Sequence, residues 1–416
     1  MSDPVPSPFE VRMKGFSNRS LVANALLWVE THAAIRSDEA ISVKLAAGRI
    51  LSQEIVSPLD VPSFDRSAMD GYALCGEETE GAGPYNPLSF QVIGESLPGR
   101  EFTGEVTRGT AVRIMTGAPV PNGADAVLPA EYSHEANNSL ICNAPVPSGK
   151  NVSRRGEDVQ AGTAVWSTGR RLRPQDIGLM SSLGLTEIRV IRKPLVRIFI
   201  TGSELVTPGT PLGPHQIYEA NSSMLAALVE RDDGIVENIH FIGDDQMRLR
   251  SLLLAPGADV ILISGGSSVG KEDFAPALLA ECGELSIHGV AMRPSSPTGM
   301  GRIGDSLVFL LPGNPVSCLC AYDFFAGLAI RLMGGQRHEW PYHKAELRLT
   351  KRISSAIGRV DYCRVKLADD GVEPLAISGA GILSSTTRAD GFVVVPQDHE
   401  GYPAGALVTV YLYDGI

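Results

Sequence analysis

The sequence predicts a multidomain chain of the α/β and β classes: an α/β domain built on a parallel sheet, a β-rich domain inserted between helical segments, and a small C-terminal β-barrel. Three observations predict it. Between residues 190 and about 335, short apolar runs alternate with helix-length stretches, the pattern of βαβ crossovers with helices on both faces of a parallel sheet. Residues 75 to 150, and those beyond about 340, break instead into short strands separated by Gly, Pro and Asp-Gly turns. At 416 residues the chain exceeds what one core supports, and roughly two to four domains are expected. The expected division groups 1–55 with 150–188 as a helical linker domain, with 56–149 as the β-rich insert, 189–337 as the α/β domain and 338–416 as the barrel.

The elements follow in order. Residues up to about 18 are rich in Pro and Ser and read as poorly ordered. Leu21, Ala23, Leu26, Leu27 and Val29 fit an amphipathic helix, with Asn18 or Ser20 as its cap, and a second helix is expected over Val43–Leu51. The segment Ser57–Leu74 shows neither helix nor strand period; Asp60 and Asp65 read equally as turn caps or as functional acids. Strands are expected at Ser89–Ile93, Gly109–Ile114, Ala126–Pro129 and Ser139–Ile141. The charges of Arg154, Arg155, Glu157 and Asp158 around Gly156 read as a solvated or salt-bridged set. Pro174–Leu183 starts on a proline and stops at Gly184, as a helix does. In the α/β region, strands are expected at Leu195–Ile200, Ile235–Ile242, Val260–Ile263 and Val308–Leu311. Helices are expected at Ser222–Val229, Met247–Leu254, Phe274–Leu279 and Val316–Met333. The tail offers strands at Ala345–Leu349, Asp361–Leu367 and Phe392–Val395, with an Asp369-Asp370-Gly371 turn between two of them.

Three strand ends in the α/β region share one design. The apolar run Val260–Ile263 stops in Ser264-Gly265-Gly266-Ser267-Ser268-Val269-Gly270, where glycines admit close backbone approach and hydroxyls offer hydrogen bonds. Leu307–Leu311 stops in Pro312-Gly313-Asn314-Pro315, with Pro315 suited to a first helical turn. Val196–Ile200 stops in Thr201-Gly202-Ser203-Glu204. Such ends in one parallel sheet predict a single crevice at its carboxyl edge, where helix N-termini favour a phosphate or other oxyanion. Asn314 reads either as a residue tolerating unusual backbone or as a ligand contact, and Asn221 as a helix cap or a ligand contact. His215, His240 and His288 are isolated and read as structural or surface residues.

Composition narrows the partners. A formal net charge of -11 argues against nucleic acid, because phosphate binding is driven by Lys and Arg. No uninterrupted apolar run approaches the ~18 residues of a membrane span, and the N-terminal residues lack a signal-peptide pattern. The cysteines at 75, 142, 282, 318, 320 and 363 are scattered, and Cys318-Leu319-Cys320 has the wrong spacing for a zinc knuckle. Reduced thiols and a cytoplasmic location are expected, with neither membrane nor nucleic acid as a partner.

Five motifs point further. Ser67-Ala68-Met69-Asp70-Gly71-Tyr72-Ala73, Arg113-Ile114-Met115-Thr116-Gly117-Ala118, Arg155-Gly156-Glu157-Asp158, Gly265-Gly266-Ser267-Ser268-Val269-Gly270 and Leu311-Pro312-Gly313-Asn314-Pro315-Val316-Ser317 occur in this order. Together they resemble the molybdopterin molybdenumtransferase family, the MoeA group that includes the E domain of gephyrin, from about residue 43 to the C-terminus. The resemblance implies an elongated four-domain protomer with a MogA-like molybdopterin-binding α/β domain, forming a homodimer. It implies Mg²⁺-dependent insertion of molybdate into adenylyl-molybdopterin with release of AMP, and a molybdopterin adenylyltransferase as a possible partner. Implied site positions are Asp70, Asp158, Glu204, Asp244, Asp273, Arg359, Ser384 and Ser385. The implied pterin and phosphate contacts are Thr201, Gly202, Asn221, Gly265, Gly266, Ser267, Ser268, Gly270, Arg293, Pro312, Gly313 and Asn314.

The chemistry agrees with that implication. Cleaving a phosphoanhydride leaves charge on phosphate oxygens, which Mg²⁺ held by carboxylates neutralises; Glu204 and Asp273, on loops at adjacent strand ends, are the expected Mg²⁺ residues. Molybdate is a tetrahedral dianion that wants hydroxyls, amides and fixed guanidiniums. Arg359, Ser384 and Ser385 are expected to supply these across the dimer from Asp70 and Asp158. One departure stands out: the family's Lys-Pro-Gly-Lys-Pro segment is Arg293-Pro294-Ser295-Ser296-Pro297 here, so the first charge is kept and the second lost. Lys271, Arg302 and the Arg154–Arg155 pair are the cations available to compensate. The loss is also what a binding protein without turnover, an inactive paralogue or gephyrin-like scaffold, would show. An ATP-dependent molybdopterin adenylyltransferase would share the α/β domain but spans only about one domain and lacks the Ser67–Ala73 motif.

Overall fold

The computed structural model describes residues 19–243, 245–266, 274–376 and 379–414. The chain forms two compact units, one of residues 40–190 and the other of residues 191–416 with the chain up to residue 39. Helix α1, Val22–His32, buries the stripe Val22, Ala25 and Val29, spaced three and four residues apart, against the second of these units. Its N-cap is Leu21 without a side-chain cap bond; the expected cap Ser20 instead donates its N–H to Gly289 O at 3.0 Å, and Asn18 lies outside the described residues. Grouping all of residues 1–55 with 150–188 is therefore corrected: α1 packs on the α/β core, while Val43, Ala46, Leu51 and Ile55 pack with Val159, Trp166, Leu172 and Met180.

Within residues 40–190, the helix expected over Val43–Leu51 is only a 3₁₀ turn, Val43–Leu45. The chain beyond it pairs sideways rather than with itself: Gly48 N–H bonds Leu172 O at 2.8 Å and Leu51 N–H bonds Arg170 O at 3.0 Å. The insert is a six-stranded sheet in the order Ala126–Pro129, Gly71–Leu74, Thr110–Ile114, Leu88–Ser96, Ser139–Cys142, Ser133–Ala136. Asp60 and Asp65 turn out to hold a remote loop. Asp60 accepts from Ala161 N–H at 2.8 Å and Arg155 Nε at 2.6 Å; Asp65 accepts from Arg155 N–H at 2.7 Å and Arg154 Nη1 at 2.9 Å. Helix α2, Pro174–Ser182, starts on its proline, with Asp176 accepting the Arg173 N–H at 2.8 Å, and Gly184 follows its end.

The second unit is organised by a six-stranded sheet in the order Ile235–Phe241, Leu195–Ile200, Val260–Ser264, Ser306–Leu311, Gly299–Ile303, Glu284–His288. The first four are parallel, but Gly299–Ile303 pairs antiparallel with both of its neighbours, so the sheet is mixed rather than wholly parallel. The reason is local: Ile303 pairs with Ser306 across Gly304-Asp305, a hairpin loop far too short for a crossover. Alternation within the central strand sends Val260 and Leu262 to one core and Ile261 and Ile263 to the other. Helix α3, Asn221–Arg231, packs on the first face; α4, Gln246–Leu253, and α5, Ala275–Cys282, pack on the second.

The run Pro315–Met333 comprises α6, Pro315–Ala321, one π turn, Tyr322–Ala326, and α7, Gly327–Met333. Its 19 residues and mean hydropathy of 1.5 are enough to cross a membrane, but 94% of that window is buried within the protein. Its charged residues are paired there: Asp323 Oδ1 lies 2.9 Å from Arg231 Nη2 and Arg331 Nη1 lies 3.0 Å from Asp232 Oδ1. Beyond it, strands His343–Arg348, Leu407–Leu412, Gly391–Val395, Val360–Ala368 and Gly371–Ala376 pair in that order. A bridge between Leu349 and Val372 joins the last to the first and closes a barrel around Cys363, Val365, Val393, Val408 and Val410. A short helix α8, Ser384–Thr387, precedes the 391–395 strand.

Candidate active site

The strands Leu195–Ile200, Val260–Ser264 and Ser306–Leu311 are neighbours in register, with Ile200 beside Ser264 and Ser264 beside Leu311. Their three turns therefore emerge side by side. Thr201 N–H bonds Ser264 O at 3.0 Å and Gly265 N–H bonds Leu311 O at 3.1 Å, carrying the ladder one residue past the strands. Gly265 has φ +93°, and a Cβ there would lie 2.5 Å from Thr201 O, so no other residue fits without displacing backbone. The turns open on a cavity of about 460 Å³ lined by Thr201, Gly202, Glu204, Asn221, Gly265, Gly266, Pro312, Gly313 and Asn314 among others. Asn221, Phe274 and Pro315 are among its lining, so α3, α5 and α6 all begin at its wall and bring their positive dipole ends to one region.

Asn221 is not a cap. It is the first residue of α3, whose cap position is Ala220, and the first turn is satisfied by the side chain of Glu219, which accepts the Ser222 N–H at 2.7 Å and also the Ser222 hydroxyl. The Asn221 amide instead donates from Nδ2 to Ser264 Oγ at 2.9 Å and to Gly313 O at 2.7 Å. Behind Ser264 stands the Cys318 thiol at 3.7 Å, which burial pushes up to about 12, so it stays protonated at neutral pH. Glu204 is exposed at the mouth and folds back over Gly202, where a Cβ would come within 2.8 Å of its Oε2. The lining residues outside the expected set include Leu205, Ile217, Tyr218, Glu219, Phe274 and Pro297. Their signal was weak, since Ile217–Tyr218 is only a two-residue strand beside Leu205–Val206.

A second cluster lies where Met292–Arg293 pairs with the start of the Val360–Ala368 strand. Asp361 is fully buried, with Arg293 Nη2 at 2.5 Å, Arg359 Nε at 3.1 Å and the Ser355 hydroxyl at 2.8 Å. The Arg359 approach is an ion pair without hydrogen-bond geometry, and Arg293 Nε and Ser296 Oγ are buried without hydrogen-bond partners. Pro297, one residue on, lines the cavity, and Ser295 Oγ donates to Ser317 O of α6 at 2.6 Å. Ser385 is buried and donates to Ile382 O at 2.6 Å; Ser384 is exposed, and its carbonyl accepts from Arg388 Nε at 3.0 Å.

The remaining candidates lie in the 40–190 unit or outside the described residues. Asp70, in the 40–190 unit, is exposed and accepts from Thr116 N–H at 2.7 Å and Thr116 Oγ1 at 2.8 Å, which hold its carboxyl below the usual range. Gly71 follows because a Cβ there would sit 1.9 Å from Leu128 O. Asp158 is exposed, and its N–H bonds Val61 O at 3.0 Å. Asp244, Ser267, Ser268, Gly270, Lys271 and Asp273 lie outside the described residues. Among the proposed compensating cations, Arg302 is corrected: it pairs with Leu307 at the opposite end of the sheet and lies 3.0 Å from Glu284. Arg154 and Arg155 are engaged by Asp65 and Asp60. No cluster of three or more His, Cys, Asp or Glu able to hold a metal occurs among the described residues.

Comparison with known proteins gives one consistent result. Residues 21–184 match the MoeA N-terminal region (domain I and II), 197–331 a probable molybdopterin binding domain, and 346–413 the MoeA C-terminal region (domain IV). The chain is 37% identical over 378 residues to molybdopterin molybdenumtransferase 2 of Mycobacterium tuberculosis, covering 88% of this chain and 93% of that protein. It is 33% identical to molybdopterin molybdenumtransferase of Haemophilus influenzae, covering 89% and 93%. The crystal structure of molybdopterin biosynthesis MoeA protein from Pyrococcus horikoshii OT3 matches with a TM-score of 0.80 at 32% identity, over 95% of this chain and 100% of that one.

Proposed function

The chain belongs to the MoeA family of molybdopterin molybdenumtransferases, and we propose that it inserts molybdate into adenylyl-molybdopterin with release of AMP, assisted by Mg²⁺ and acting as a homodimer. The observation that carries this reading is the convergence of three strand-end turns and three helix starts on one cavity of about 460 Å³. That arrangement suits a phosphate-bearing ligand in a chain whose net charge is -11, because backbone N–H groups and helix dipoles supply the positive potential locally.

The division of labour follows from residue chemistry. The Thr201–Gly202, Gly265–Gly266 and Pro312–Asn314 turns admit a phosphoanhydride against backbone. Arg293 and Arg359 offer guanidiniums to a tetrahedral oxyanion, and Asp361 fixes where they stand. Glu204 gives a hard oxygen ligand at the mouth, fitting Mg²⁺, which characteristically binds one or two carboxylates and completes its shell with water and substrate phosphate. When bound there, the ion supplies charge neutralisation at the departing phosphate. Asp273 is proposed as the second carboxylate, and Asp70 and Asp158 as acids acting from the partner protomer.

The test is incubation with adenylyl-molybdopterin and molybdate, with and without Mg²⁺, following AMP. Magnesium-dependent release, suppressed by Asp273→Asn and Glu204→Gln, is expected; absence of release from wild-type protein overturns the reading. A second reading, a protein that binds the pterin without turnover, is favoured by Ser296 where the family carries lysine. Pterin affinity without AMP release would establish it.

A further inference from the structure

We propose that Asn221 is a positioning residue that fixes the spacing of the two turns on either side of the cavity, and thereby sets the affinity of the site for a phosphoryl group. This rests on the reading above that the ligand carries phosphate. The Asn221 amide nitrogen reaches the last residue of one strand, Ser264 Oγ at 2.9 Å, and the turn after its neighbour, Gly313 O at 2.7 Å. Asn221 itself starts α3, the helix reached from the third turn. One side chain thus joins all three segments that line the cavity.

Two observations separate this from ordinary helix capping. The Glu219 side chain already satisfies the first turn of α3 through Ser222, so Asn221 is free of that task. Its orientation is also fixed, because Gly313 O only accepts and must face the NH₂ group; Asn221 Oδ1 is then buried without a hydrogen-bond partner. A buried acceptor left unmatched is unfavourable, and serine at 221 would avoid it, but serine is too short to reach both partners. The separation being held is small: a Cβ on Gly313 would lie 3.5 Å from Gly265 Cα, so the two glycine turns are nearly in contact. Loss of the strap releases them to move apart, and the backbone donors cease to converge on one phosphate.

The test compares wild type, Asn221→Ala and Asn221→Asp for AMP binding by calorimetry with Mg²⁺ present. Asn221→Ala is expected to weaken binding at least about tenfold at every pH. Asn221→Asp is expected to bind poorly at pH 8, where its carboxylate opposes Gly313 O, and to recover toward wild type on acidification to pH 5, because burial against that carbonyl raises the new carboxyl and its protonated oxygen then donates to Gly313 O. The quantity read is the ratio to wild type at each pH. Glu204 and Glu219 line the same cavity, and Cys318 lies behind it; being common to all three proteins, they and the phosphate of AMP cancel in that ratio. A general loss of stability would not recover on acidification. Equal affinity for the alanine variant, or a flat ratio for the aspartate variant, overturns the proposal. Amide hydrogen exchange without ligand supplies a separate measure: the amides of residues 264–266, 313, 314 and 316 should exchange at least about tenfold faster in Asn221→Ala. If wild-type protein binds no AMP, the phosphate reading fails, and unchanged exchange would then dispose of the strap as well.

Discussion

Arg293 holds Asp361 across a pair of parallel strands, its Nη2 2.5 Å from Oδ2 of a carboxylate that is 0% exposed. Arg359 stands 3.1 Å from the other oxygen, so one anion serves two cations and the cluster keeps an excess positive charge. Replacing Asp361 by Asn should cost about 3 kcal/mol of unfolding free energy, since it strips two guanidiniums of their common counter-ion. Urea denaturation reads the loss, and sulfate at millimolar concentration should restore part of it in the variant alone. Equal midpoints with and without sulfate would show the arginines to be independent of Asp361.

Ser296 offers a prediction in the opposite direction. Its hydroxyl is buried without a hydrogen-bond partner, two residues beyond the proline that follows Arg293. Ser296→Lys should return a second cation and lower the molybdate concentration for half-maximal AMP release about tenfold, equivalent to about 1.4 kcal/mol. A release curve unchanged in midpoint would mean that another group already supplies the charge.

Much of this arrangement was legible because it depends on short-range patterns. The apolar run ending at Ser264 and the glycines behind it announce both the buried strand and the close approach of backbone, and Pro315 marks the helix start. Motifs that hold remote partners were harder to read. Asp60 and Asp65 gave no sign that they would reach residues 154–161, because hydrogen bonds between loops distant in sequence carry no period. The antiparallel strand of the α/β sheet was hidden for a related reason: Gly304-Asp305 is a hairpin signal, but the flanking strands contain Gly299, Gly301 and Arg302 rather than alternating apolar residues. Asn221 looked like a cap because it precedes a helix, and only the fold shows the Glu219 side chain satisfying that first turn.

Gly265 provides a test of the turn geometry. An alanine there combines φ +93° with a Cβ 2.5 Å from Thr201 O, so the backbone must move to accommodate it. The Gly265→Ala variant should lose about 1–3 kcal/mol of stability and, because the displaced turn lines the cavity, more than tenfold in AMP affinity. Gly304→Ala, also at positive φ (+56°) but in the hairpin at the opposite end of the sheet and with nothing within 4 Å of its Cβ, should share the backbone strain and leave AMP affinity nearly unchanged. Equal affinity losses in both would mean that global strain, rather than the cradle, controls binding.

Acid should destabilise both units through anchored carboxylates. Burial alone would raise the Asp176 carboxyl, but hydrogen bonds from Arg170, from Arg173 by backbone and side chain, and from Trp166 outweigh it and hold the group far below 3.8. In the other unit burial likewise opposes ionisation of Asp259. The Arg192 guanidinium at 2.6 and 2.8 Å, the Leu195 N–H at 2.8 Å and the charge of Arg36 again prevail, so its carboxyl is also lowered. With the folded value below the unfolded one, the unfolded chain takes up protons first. The contribution is therefore complete above the unfolded value and is lost as pH falls through the folded one. Melting temperature should thus stay level from about pH 7 to 5 and drop below about pH 4. Asp176→Asn should be less stable than wild type at neutral pH by about 2 kcal/mol, and should lose less on acidification because the proton-linked part has already been removed. Parallel melting curves for the two proteins below pH 4 would show that Asp176 does not carry the acid response, and the other lowered carboxyls, Asp259 among them, would then have to account for it.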